Sequence, residues 1–64
     1  MRAVITGLEQ GDLEVEFLVL PREGEYLKLH NKDDIIEGEV ASVTHSIYLH
    51  QSEHQIKIAL KPIN

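Results

Sequence analysis

The chain has 64 residues and no cysteine, and its six Lys and Arg against eleven Asp and Glu leave a formal net charge of -5. That length supports a single domain, 1–64, with a modest core, and the absence of cysteine excludes disulfides and thiolate metal sites. The acidic balance disfavours a general phosphate-backbone binder, which draws much of its affinity from basic side chains.

The first residues, MRAVITGLEQGDLEVEF, show no secretory pattern. No stretch nears the roughly 20 apolar residues of a membrane span. The expected setting is the cytoplasm with no membrane partner, and the chain reads as a complete small protein.

A first strand is expected over about Arg2 to Leu8, joined to a second by the turn Glu9-Gln10-Gly11-Asp12. In the second, Leu13, Val15, Phe17 and Val19 share one parity with Glu14 and Glu16 between them, the period of a half-buried strand. Leu18 and Leu20 break the alternation, so that end is expected to be covered on both faces, by a neighbouring segment or another chain. Pro21-Arg22-Glu23-Gly24 reads as a turn, with Pro fixing φ early and Gly freeing it late. A short strand follows over Glu25 to His30, with Leu27 and Leu29 facing in, and Asn31-Lys32-Asp33-Asp34 turns the chain again.

Ile35 to Leu49 admits two readings. Ile36, Val40, Val43 and Ile47 fall at helical spacing, and Asp34 with Glu37 fits a capping box, which predicts a helix over about 34–45 and an α+β fold. Gly38 and the β-branched Val40, Val43, Thr44 and Ile47 favour instead one long bent strand, with a bulge near Ala41-Ser42 that brings Val40 into the core. The strand reading is preferred. After a turn at Gln51-Ser52-Glu53-His54, Ile56, Ile58 and Leu60 alternate with Lys57, Ala59 and Lys61 in a last strand.

The predicted fold is therefore all-β, a small five-stranded SH3-like barrel or meander. LPREGEYLKL followed by EGEVASVTH, spanning residues 20 to 45, resembles a pattern of small uncharacterised SH3-like β-barrel proteins of bacteria and phages. The resemblance rests on turn and strand grammar and transfers no catalytic residue. It also implies a mode of action in which an acidic face of Glu14, Glu16, Glu23, Glu25, Glu37 and Glu39 occupies a basic surface of a host protein.

Four histidines stand out in so short a chain. His50 and His54 flank the last turn with Glu53 nearby, and two imidazoles with a carboxylate suit zinc or nickel; the competing reading is a solvated loop. His45 shares parity with Val43 and Ile47 and is expected to be partly buried, bonded to backbone or to Thr44 or Ser46. Its functional alternative is a pH switch or ligand contact.

Ser42, Ser46 and Ser52 lack a nucleophile-elbow motif, and no Gly-rich loop is present to cradle phosphate. The expectation is a non-enzymatic module without a cofactor. It binds another protein or itself, as a homodimer or small homo-oligomer, through Leu18, Leu20, Tyr26 and Tyr48, with Val4 and Ile63 extending the patch and a first or last strand at the sheet edge. Nucleic-acid binding is the alternative from another class and needs Lys28, Lys57 and Lys61 to converge on one face.

Overall fold

A computed structural model of the protein describes residues 1–62. Alternation of apolar and polar residues yields five strands: β1 (Arg2–Thr6), β2 (Leu13–Glu16), β3 (Tyr26–Asn31), β4 (Asp34–Tyr48) and β5 (Glu53–Pro62). No helix occurs among the described residues. The helical alternative over 34–45 is thereby overturned, because that stretch pairs with β3 on one side and β5 on the other.

All five strands belong to one curled sheet of order β2-β1-β5-β4-β3. β3, β4 and β5 run as an antiparallel meander, while β1 and β2 form a separate antiparallel hairpin. The hairpin joins the meander by parallel pairing, Val4–Thr6 of β1 against Lys57–Ala59 of β5. Curling brings β2 and β3 toward each other without closure: no Cα of β2 lies within 8 Å of one in β3. The architecture is thus a half-barrel. The expectation of a first or last strand at the sheet edge is corrected, since β5 sits at the centre and the edges are β2 and β3. The central position follows from β5 carrying Ile56, Ile58 and Leu60, three of the six buried apolar residues.

Ala3 and Ile5 of β1 and Val40 of β4 complete that core, with Leu8, Val15, Phe17, Leu20, Leu27, Leu29, Ile36 and Val43 packed around it. One extra residue in β4 makes this possible. Val40 opposes Leu60 and Ser42 opposes Ala59, leaving Ala41 without a partner. The bulge switches the inward parity from Ile36, Gly38 and Val40 to Val43, His45 and Ile47. Backbone bonds from Gly24 N–H to Val40 O and from Val40 N–H to Glu25 O, both 2.8 Å, pin the strand just before it.

β2 is shorter than the alternation predicts. Its ladder with β1 runs out at Arg2 opposite Glu16, with one further bond from Phe17 N–H to Met1 O. Leu18 and Val19 then turn outward, while Leu20 packs on the core beside buried Pro21. The expectation of a single apolar strand end covered on both faces is corrected accordingly.

Gly38 is buried where β4 crosses β5. A Cβ there would lie 2.6 Å from Lys61 O and 2.7 Å from Leu60 Cγ, so only hydrogen fits. Chemical denaturation is expected to show Gly38→Ala destabilised by about 1–3 kcal/mol through overpacking. Ile58→Ala, at the centre of the core, is expected to lose about 2–5 kcal/mol. A Gly38→Ala protein as stable as the parent would contradict this packing.

Candidate interaction surface

β4 and β5 are long enough to outrun their neighbours. β3 pairs with β4 no further than Glu39, and the ladder of β1 with β5 spans only Lys57–Ala59. From His45 to Tyr48 and from Glu53 to Ile56 the structure is a ribbon of two paired strands, in a molecule 40 Å long and 24 by 22 Å across. Two-stranded ribbons are marginal in water unless something packs on them. The loop Leu49–Ser52 closes this one with a bond from Gln51 N–H to Tyr48 O (3.1 Å) and with Ser52 in the left-handed region at φ 52°.

The inner face of the ribbon continues the core face outward. Its directly opposed pairs run Val40 with Leu60, Val43 with Ile58, His45 with Ile56, and Ile47 with His54. Burial fades along that series, from Val40 at 1 % exposed to Ile47 at 63 %. Leu49, in the loop beyond, is 84 % exposed. The other face carries Thr44 with Lys57, Ser46 with Gln55, and Tyr48 with Glu53.

The register unites two histidines that sequence spacing alone does not pair. His45 and His54 sit diagonally across the ribbon on one face, with Nδ1 of His45 2.9 Å from Nε2 of His54 and ring centroids 5.1 Å apart. One facing nitrogen must carry a hydrogen and the other a lone pair. The expectation for His45 is corrected: it is exposed rather than partly buried, and its partner is an imidazole rather than a backbone group, Thr44 or Ser46. It shares the parity of the core but stands opposite Ile56, the outermost buried residue of β5, where the core gives way to solvent.

The proposed ligand set of His50, Glu53 and His54 does not assemble. Successive strand residues point to opposite faces, so Glu53 and His54 diverge, and Glu53 Oε1 instead accepts a bond from Gln55 Nε2 at 3.4 Å. His50 lies in the loop, lining a shallow depression with Ile47, Tyr48, Leu49 and Gln51. Among the described residues no three His, Cys, Asp or Glu side chains come together.

The four candidate interface residues do not form one patch. Leu18 is fully exposed in the β2–β3 link, Leu20 belongs to the core surround, Tyr26 is exposed on edge strand β3, and Tyr48 is exposed on the ribbon. Val4 is half-buried in β1, and Ile63 lies outside the described residues. The charged candidates are interspersed with opposite signs. Lys28 pairs with Glu37 at 3.5 Å, Lys61 opposes Glu39, and Arg2 lies 3.5 Å from Glu14 and 3.9 Å from Glu16. Lys28, Lys61 and Arg2 thus each stand beside a carboxylate.

The outer edge of β4 is the feature that sequence reasoning missed. Past the bonds at Val40, residues 41–48 make no backbone pairing on the side away from β5 among the described residues. This edge reads ASVTHSIY, with no Lys, Arg, Asp, Glu or Pro in it. Sheet edges in soluble proteins usually carry such residues to block further pairing.

No family model, curated protein or solved structure matches the chain.

At dilutions where the chain is monomeric, amide hydrogen exchange is expected to be faster at Thr44–Tyr48 than at Ile5, Val40 and Ile58, because the ribbon opens without disrupting the core. Equal protection in both regions would contradict an independently marginal ribbon.

Proposed function

We propose that the protein is a non-enzymatic self-assembly module that forms a homodimer through the free edge of β4. The observation that carries this reading is the uncharged backbone edge over residues 41–48, unpaired on its outer side among the described residues. Two copies related by a two-fold axis would pair these edges antiparallel, each supplying the same surface to the other. The sheets of both copies would then merge, and each marginal ribbon would gain a third strand.

Side chains support the same partner. Joining two acidic chains of net charge -5 costs least where the contact surface is free of carboxylates, and this edge is. Exposed Ile47 would lie opposite Ser42 of the second copy, removing part of its apolar surface from water. A catalytic role finds no support in the sequence, which lacks a nucleophile motif and a phosphate-cradling loop.

Native mass spectrometry and light scattering are expected to give twice the 7.3 kDa chain mass at micromolar concentration. Ile47→Lys, which places a charge on the edge, is expected to shift the equilibrium to monomer without loss of fold. Leu18→Asp tests the other exposed apolar segment. A dimer lost with Leu18→Asp and kept with Ile47→Lys would move the interface to the β2–β3 link. A monomer at all concentrations would overturn the self-assembly reading.

A further inference from the structure

We propose that His45 and His54 together chelate one divalent transition-metal ion, through Nδ1 of His45 and Nε2 of His54, and so clamp the two strands of the ribbon. The pair goes beyond the self-assembly reading and does not depend on it, since both ligands come from one chain.

Tyr48 opposite Glu53 fixes Ile47 opposite His54 and His45 opposite Ile56, so the two imidazoles meet on the same face of adjacent strands. Diagonal positions on one face are within reach of long or aromatic side chains. The two facing nitrogens are already 2.9 Å apart. With metal–imidazole bonds of about 2.0–2.1 Å, two ligand nitrogens lie about 2.9 Å apart at a right angle and about 3.4 Å apart at a tetrahedral angle. The observed separation therefore falls at the lower end of the range a chelate requires, and small rotations of two exposed side chains supply the rest.

In the metal-free pair the hydrogen between the rings belongs to one facing nitrogen. Chelation needs a lone pair on both. That hydrogen leaves to solvent while the other nitrogen of the same ring takes one up, so the neutral pair changes tautomer with no net change of charge. Both rings then swing their lone pairs toward the ion. The remaining coordination positions fall to water, because among the described residues no third His, Cys, Asp or Glu joins the pair.

Two imidazoles with open positions suit Cu2+ and Ni2+ and bind Zn2+ less tightly than Cu2+, by the usual order for nitrogen ligands. The location also gives the ion a mechanical effect. His45 and His54 lie where the ribbon has lost its neighbouring strands, so a bond across them would hold together the part of the fold with the least packing.

The test is titration of the full chain with Cu2+ and Ni2+, followed by calorimetry and by native mass spectrometry that counts ions on monomer and dimer peaks separately. One ion per chain is expected on the monomer, and its affinity is expected to fall about tenfold or more in His45→Ala and in His54→Ala, with His50→Ala and His30→Ala close to the parent. As a second readout on the unaltered chain, substoichiometric Cu2+ is expected to broaden the imidazole signals of His45 and His54 before those of His50 and His30. Unchanged affinity in both His45→Ala and His54→Ala, or broadening that begins at His50 or His30, would overturn the site. Metal binding on a chain that never dimerises would leave this site standing and remove only the self-assembly reading.

Discussion

The ladder between β4 and β5, and the single extra residue Ala41 that interrupts it, set the rest of the structure. Before the bulge, β4 turns Ile36, Gly38 and Val40 inward; after it, Val43, His45 and Ile47. Without that shift of parity, Val43 would leave the face of Ile58 and the apolar stripe of β5 would meet Ser42 and Thr44. The same ladder carries the core outward. Its inner end is sealed by Ala3, Ile5, Ile58 and Leu60, and its outer end stands in solvent with Ile47 and a pair of histidines. One long pairing therefore holds both the most packed and the least packed parts of the molecule.

Its length also explains the edge. A 15-residue β4 is matched by a six-residue β3, which pairs with it only as far as Glu39. Where β3 stops, β4 keeps a row of backbone groups unpaired among the described residues, and the sequence there places no Lys, Arg, Asp or Glu to defend it. Elsewhere the outer surface is guarded. Glu14 and Glu16 line edge strand β2 and Lys28 sits on edge strand β3, so the two strands that end the sheet each carry charge. The contrast between charged sheet edges and an uncharged β4 edge is the physical basis for assigning self-association to the ribbon.

Much of the fold was legible in the sequence because its signals are local. Alternation in Leu13 to Glu16 and in Ile56 to Leu60 and the β-branched run after Gly38 each found its element, the bulge fell at Ala41 as parity required, and the turn expected at Pro21 to Gly24 closes one residue later, from Arg22 to Glu25. Pairing of distant strands was not legible. Nothing in the neighbourhood of Arg2 or Ile58 announces that β1 runs parallel to β5, or that β5 takes the centre of the sheet. The histidine pair was hidden for a similar reason. A turn placed at Gln51 to His54 sets His54 beside His50 and Glu53, whereas the actual loop, Leu49 to Ser52, moves the register so that His54 meets His45. A tip shifted by two residues exchanges one set of neighbours for another. Leu18 and Leu20 likewise share a parity in sequence and part company once β2 ends at Glu16.

The proposed dimer pairs residues 41–48 of β4 antiparallel with the same residues of a second copy. The most direct measurement is isotope-filtered NMR on a mixture of labelled and unlabelled chains, which detects only contacts between molecules. Hα–Hα contacts between copies are expected within Ala41 to Tyr48, symmetric about a two-fold point between Thr44 and His45. Intermolecular contacts confined to Leu18 and Val19, or none at concentrations well above micromolar, would contradict it.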